Sequence, residues 1–312
     1  MSLERQGSLR CLGRARAAAL CMLLCAAGGP QARADDALLE FYKPNYALSS
    51  WDFTQPTDRQ DREVDLQFSF KKGFLNWGIV HAYFGYSQKS FWQVYDAGRS
   101  RPFRETDYNP ELFFENRPDW RPLGAQLTLR WSPIEHESNG RGVELEQNGE
   151  TDLAGTGSSV TVAGATPVNQ SRSWNRAYLQ TLLLWEGAWD TQLSLKYWQR
   201  YPESPKANPL DASGDDNPDI QDYLGYGEAW AEFTPHSAAG ASPSQRVRLF
   251  LRQGSIAHSS TVQLDYDHQL HDWWQSFTPG WYLHVQYFYG YGESLIDYNR
   301  LEKKLALGLS VR

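Results

Sequence analysis

His136 and Ser138 stand two positions apart in the stretch EHESNGRG, residues 135–142. A serine hydroxyl is a weak nucleophile until a neighbouring base takes its proton, and an imidazole is a frequent base. On a β-strand, two positions apart means one face, with Cα atoms roughly 6.6 Å apart. Side chains leaning along the strand close that gap to hydrogen-bond distance. In isolation the pair is too common to carry weight, and a polar strand end describes it better. A catalytic pair also needs a third group to orient the imidazole. Asn175, in SRSWNR at 171–176, stands on the next strand-like segment and shares parity with Ala177, Leu179, Leu183 and Trp185. It therefore heads an apolar row within reach of the first strand, where an amide is costly unless bonded. A position at the strand end, above the apolar zone, is the alternative for Asn175.

Two further stretches combine unusual residues. In GYSQKSFWQ, residues 85–93, Gln88 shares a face with Val80, Ala82, Phe84 and Tyr86. A glutamine on an apolar face suggests a hydrogen bond to a second subunit, or else a place beyond the hydrocarbon. GDDNPDI, residues 214–220, is oxygen-rich and suits a hard cation such as calcium, although its spacing is not that of an EF-hand. As a lone motif it reads as a solvated acidic turn. Histidines 258, 268, 271 and 284 show no zinc spacing and read as ordinary strand and loop residues.

The elements that must position these residues alternate with period two. Leu123, Ala125, Leu127, Leu129 and Trp131 alternate with Gln126, Thr128 and Arg130; Leu305, Leu307, Leu309 and Val311 form one side of the last segment. Candidate strands lie near 45–52, 63–72, 77–91, 107–116, 122–136, 173–186, 189–201, 220–233, 245–254, 259–270, 280–291 and 301–312. They are on the order of ten residues long, the length of a tilted membrane-crossing strand, and their second faces are strongly polar. Tryptophans 185, 189, 198, 273, 274 and 281 fall near strand ends, where interfacial girdles lie. The expected fold is all-β, a transmembrane antiparallel barrel of about twelve strands with short periplasmic turns and longer extracellular loops. A water-soluble β fold is the competing architecture. Position 136 falls on the lumen side when counted by twos from Trp131. Pro133 lacks a ladder donor, and a bulge there would turn His136 and Ser138 to the outer face.

Composition narrows the function classes. Residues 1–34 read as a secretory signal: arginines 5, 10, 14 and 16, a short apolar core, then Ala32-Arg33-Ala34. Leu24 before Cys25 argues against a lipoprotein signal. All three cysteines lie in this leader, so residues 35–312, one expected barrel domain, rely on no disulfide. Five of 30 basic and one of 37 acidic residues leave with it, giving 25 − 36 = −11. That charge disfavours nucleic acid as a partner. No run of about 18 apolar residues is present for a helical span.

GYSQKSFWQ, SRPFRETDYNPELF, EHESNGR, SRSWNR, DDNPDI and YGYGESLIDYN occur in that order, and together they resemble bacterial outer membrane phospholipase A from about Asn45 to Arg312. The resemblance implies Ser138 as nucleophile, His136 as general base and acid, and Asn175 in place of the usual aspartate. The Gly140 amide becomes an oxyanion donor. Calcium is implied at the Arg141 carbonyl, the Ser171 hydroxyl and Ser100 of the partner subunit, with Asp216 tied to calcium in the monomer. Gln88 becomes a buried dimer contact. The activity implied is calcium-dependent hydrolysis of sn-1 and sn-2 acyl esters of phospholipids and lysophospholipids at the outer leaflet, by a homodimer whose monomer is inactive. The rival is a non-enzymatic outer-membrane pore or structural barrel. Two features depart from the family: a much longer stretch between Arg141 and Ser171, and a last residue, Arg312, that is not aromatic.

Overall fold

Strands whose alternate side chains are apolar and polar must find two different environments, and here they do so by closing on themselves. The computed structural model describes residues 39–96, 103–147, 150–152, 166–211, 213–237, 243–270 and 280–312. The leader expected at 1–34, Ser100, Trp273 and Trp274 lie outside the described residues. Twelve strands form the wall: β1 Asn45–Asp52, β2 Arg62–Trp77, β3 Val80–Trp92, β4 Phe103–Asn116, β5 Gln126–Ser138 and β6 Ser173–Trp185, followed by β7 Trp189–Arg200, β8 Gly227–Pro235, β9 Gln245–Gln253, β10 Ser260–Gln269, β11 Trp281–Gly290 and β12 Glu302–Val311. Each pairs antiparallel with the next, and β12 returns to β1 from Lys304↔Asp52 to Val311↔Asn45. The barrel is closed, which removes every edge.

Burial is inverted relative to a water-soluble protein. On β12, Leu305, Leu307 and Leu309 are exposed, while Glu302, Lys304 and Ser310 are buried. The outward leucines gain roughly 1.5–3 kcal/mol each on leaving water for hydrocarbon. The lumen is packed with paired charges. Lys304 Nζ donates to Glu63 at 2.9 Å and Asp65 at 3.0 Å, and Arg130 Nη2 to Glu115 at 2.5 Å. Such pairs add little net stability, but losing one partner costs about 3–5 kcal/mol. Exposed Trp77, Trp120, Trp189 and Trp281 ring one end of the wall. Phe103, Tyr108, Tyr201 and Tyr226 stand exposed toward the other. These are the two interfacial belts of a membrane barrel.

Connections 78–79 and 186–188 at the Trp77 end are short, whereas 139–172 and 201–226 at the other end are long. Within the first, Val143–Gln147 pairs antiparallel with Thr166–Asn169. The extra residues therefore extend the β5–β6 hairpin and leave its two stems together.

Two expectations need correction. Residues 220–224 begin no strand; Ile220–Leu224 is a short helix, α1, and β8 starts at Gly227. Ile220 and Leu224, four apart, bury one helical face in an internal cluster with Trp174, Trp198 and Leu295. The helix ends at Gly225, whose φ of 65° suits glycine, and a Cβ there would lie 2.0 Å from the Gln253 carbonyl oxygen. Trp198 belongs to no girdle. It is buried inside, its Nε1–H donating to the Gly225 carbonyl at 3.0 Å.

Candidate active site

The outer face of β5 changes parity at one place. Trp131 is 42% exposed and Ser132 2%, yet Ile134 is 47% exposed and Glu135 1%. The register explains this. Against β6, Tyr178 faces Ser132 and Arg176 faces Glu135; against β4, Phe114 faces Trp131 and Leu112 faces Ile134. On both sides β5 carries one residue more than its partner, a β-bulge at Pro133. Proline has no N–H to lose there. The groups left over are met locally: Ser132 Oγ accepts from the Ile134 amide at 3.1 Å and donates to the Leu112 carbonyl at 2.7 Å. The Tyr201 hydroxyl donates to the Pro133 carbonyl at 2.5 Å. Beyond the bulge Glu135 turns inward, bonded to Arg176 at 2.6 Å and Lys196 at 2.9 Å. His136 and Ser138 consequently face outward, on the row that leads with Ile134.

His136 lies directly across from Asn175, and its Nδ1 is 2.9 Å from Asn175 Oδ1. An amide oxygen only accepts, so this contact places the ring proton on Nδ1 and leaves Nε2 with a free lone pair that can accept a proton. The Tyr201 amide donates to the Asn175 carbonyl at 2.8 Å, fixing the main chain there. Glu203 faces the Asn175 side chain; burial raises its pKa, opposed by Arg200 and by Asn175. Ser138 pairs with Ser173 on one side and Tyr108 on the other. Among the described residues its hydroxyl makes no hydrogen bond, so the His136–Ser138 bond is open in this conformation. Contacts of this kind commonly tighten when substrate arrives.

The turn after Ser138 is built on Asn139, which is 3% exposed. Its amide nitrogen donates to Glu105 at 3.0 Å and to the Gln170 carbonyl at 2.8 Å. Its oxygen accepts from the amides of Arg141 at 3.2 Å and Arg172 at 3.0 Å. One buried side chain thus ties both stems of the long connection to β4. Gly140 follows with φ 63°, and a Cβ there would come 2.9 Å from the Tyr108 ring. Only glycine meets both demands without strain.

Arg141 and Ser171 stand one on each stem at the base of this extension. The Arg141 guanidinium donates to Gln170 Oε1 at 2.7 Å, and the Gln170 amide to the Gly142 carbonyl at 3.0 Å. The Ser171 hydroxyl donates to Asp216 Oδ2 at 2.6 Å, which leaves its lone pairs for a cation. Asp216 is no solvated turn residue: its other oxygen is paired with Lys206. Burial raises the Asp216 carboxyl, but the bonds from Lys206 and Ser171 outweigh it and bring it below the ordinary value. Among the described residues no three acidic or imidazole side chains gather as a metal site. The expected donors are carbonyl and hydroxyl oxygens, a set suited to a hard cation.

Gln88 occupies the same outer face. Phe68, Gln88, Tyr108, Ser138 and Ser173 follow one another across five adjacent strands. Gln88 is thus two strand spacings from Ser138, about 10 Å. It accepts from the Tyr86 hydroxyl at 2.9 Å and donates to Ser90 Oγ at 3.3 Å. Sequence reasoning missed Ser132, Asn139, Tyr201 and Lys206. Asn139 lies inside the quoted motif, but nothing local distinguishes its amide from a surface one.

A family model described as Phospholipase A1 matches residues 30–148 and 163–311, its gap falling within the extended hairpin. A putative phospholipase A1 of Neisseria meningitidis serogroup B is 31% identical over 281 residues, covering 85% of this chain and 60% of its own. This chain therefore spans less than two thirds of that relative. Outer membrane phospholipase A from Escherichia coli superposes with a TM-score of 0.66 at 24% identity, over 90% of this chain and 95% of that one. A Salmonella typhi outer membrane phospholipase dimer with bound calcium gives 0.63 at 24% identity, over 88% and 92%. At that identity the two structures speak for the barrel fold.

Proposed function

Because the chain belongs to the phospholipase A1 family and forms an outer-membrane barrel, we propose that it is a phospholipase working from the outer face of its wall. Ser138 is the nucleophile, His136 the general base and acid, and Asn175 the group that orients the imidazole. The observation that carries this reading is the 2.9 Å His136–Asn175 contact on the outward row that also holds Ser138. A passive pore has no use for that row.

In the proposed cycle Ser138 Oγ attacks the acyl carbonyl while His136 Nε2 takes its proton, and Nδ1 keeps its own proton, donated to Asn175 Oδ1. The same proton passes to the departing glycerol oxygen, which leaves as a lysophospholipid or, from a lysophospholipid, as its deacylated alcohol. Water, giving a proton to the same imidazole, then attacks the acyl carbon, and the imidazolium passes that proton to Ser138 Oγ as the fatty acid leaves. The Gly140 amide donates to the developing oxyanion. Neutral Asn175 stabilises the imidazolium less than a carboxylate would, but it is cheaper beside lipid. Both sn-1 and sn-2 esters present the same carbonyl to this group. The site sits at the long-loop end, where outer-leaflet esters arrive.

Calcium would be held by the Arg141 carbonyl, the Ser171 hydroxyl and Ser100 of the partner subunit, and it would supply positive charge to the oxyanion region. The bound calcium and dimeric state of the Salmonella typhi protein support carrying both features here. A site lacking its partner oxygen is incomplete, so the dimer is the active form and the monomer inactive, with Gln88 at the contact. Residues 1–34 direct the chain to the membrane and are removed. The test is hydrolysis of mixed-micelle phospholipid with calcium and with chelator, alongside Ser138→Ala. Calcium-dependent turnover that vanishes in the variant supports the reading; turnover that survives it rejects the mechanism.

A further inference from the structure

Lys206 lies in the 201–226 loop with only 9% of its side chain exposed. Its ammonium donates to the Asp211 carbonyl at 2.6 Å and pairs with Asp216 Oδ1. Its stem packs on Gly214, where a Cβ would come 2.9 Å from Lys206 Cγ. The Asp216 side chain is likewise 9% exposed, and its second oxygen accepts a hydrogen bond from the Ser171 hydroxyl at 2.6 Å. Asn169 Nδ2 approaches the first oxygen at 3.5 Å. The lysine is therefore seated, with a carboxylate and a carbonyl for partners and a loop folded around its stem.

We propose that Lys206 is a built-in counter-cation that takes the place of a metal at Asp216. The inference rests on the calcium reading above and assigns a regulation to that site. A carboxylate neutralised by a buried ammonium has little charge left for a dication, and a dication beside that ammonium meets like-charge repulsion in a poorly screened pocket. To bind at Asp216, calcium has to expel a hydrogen-bonded lysine. Asp216 acts instead as the acceptor that orients the Ser171 hydroxyl. Its proton is drawn inward and its lone pairs are presented outward, as an outer-shell partner does for a ligand. A single copy of the chain then offers calcium only neutral oxygens, and binding waits on the dimer.

Calcium titration calorimetry on the full chain in detergent tests this. Monomeric wild type, Lys206→Arg, Lys206→Met and Lys206→Met/Asp216→Asn are compared with a covalently cross-linked wild-type dimer. Heat-dependent gel mobility reports barrel closure, and Lys206→Gln stands in if Lys206→Met fails to close. The cross-linked dimer binds. Removing the competing charge tightens monomer binding by at least about tenfold, whereas Lys206→Arg leaves it weak and the double variant loses the gain. A dimer that binds, beside a Lys206→Met monomer no tighter than wild type, overturns the role of Lys206 alone. No binding by either the dimer or the Lys206→Met monomer overturns the calcium reading and this inference with it.

Discussion

Deleting Pro133 takes the extra residue out of β5, and one half of the strand must then turn over. If the upper half turns, His136 and Ser138 point into the lumen and Glu135 leaves Arg176 and Lys196. If the lower half turns, Arg130 leaves Glu115 and Gln180 and faces lipid in mid-strand. Each breaks a buried pair at about 3–5 kcal/mol, so that term roughly cancels. The lipid term decides: an arginine near the bilayer midplane costs about 2–4 kcal/mol, a charge near the interface about 0–1. A difference of about 2 kcal/mol favours turning the upper half by roughly thirtyfold. The nucleophile and its base then leave the lipid face in all but about one molecule in thirty, and phospholipid hydrolysis falls roughly thirtyfold. Pro133→Ala keeps the residue count and stays within about tenfold, because the ladder never used an N–H at 133. The assay is mixed-micelle turnover, with unheated gel mobility confirming a closed barrel. A closed deletion variant within tenfold of wild type would refute the bulge as the device that aims the site.

Asn175→Ala removes the acceptor at His136 Nδ1; a hydrogen bond to a group that becomes charged is worth about 1.5–3 kcal/mol, so kcat falls about 10- to 150-fold. Asn175→Asp keeps an acceptor but faces Glu203, and kcat is expected to be higher when Glu203→Gln accompanies it than alone. For Asp216, whose folded pKa is depressed, the ionised interactions are fully present above its usual value and are lost as pH falls through the folded one. Asp216→Asn therefore lowers kcat/KM by the same factor across roughly pH 5 to 9, well above that window. A factor that changes across this range would count against an ionised Asp216.

Alternation made the barrel legible, because lipid and lumen enforce it on each strand; Leu305, Leu307 and Leu309 need no tertiary information to be read as one face. The row proposed to be catalytic was legible only through its exception. Parity put His136 on the wrong side, and Pro133 supplied a physical reason for a shift that both neighbouring strands record. What escaped the sequence depends on contacts between distant segments. Ile220 and Leu224 fit a strand or a helix equally well until the internal cluster chooses. Asn139 joins β4 to both hairpin stems, and Lys206 finds Asp216 across a loop; neither has a local periodicity to announce it. Nothing local in the long stretch between Arg141 and Ser171 announces that its arms lie together, and the backbone pairing of Val143–Gln147 with Thr166–Asn169 sets them side by side.

The central claim is that Ser138 is an activated nucleophile facing the hydrocarbon. Its most direct test is reaction of the full chain in detergent with a long-chain alkylsulfonyl fluoride, followed by peptide mass spectrometry. The account predicts one adduct, on Ser138, formed in step with loss of hydrolysis, reduced roughly thirtyfold in the Pro133 deletion and absent from His136→Ala. Inactivation with Ser138 unmodified, or labelling of Ser138 that proceeds equally fast without His136, would contradict it.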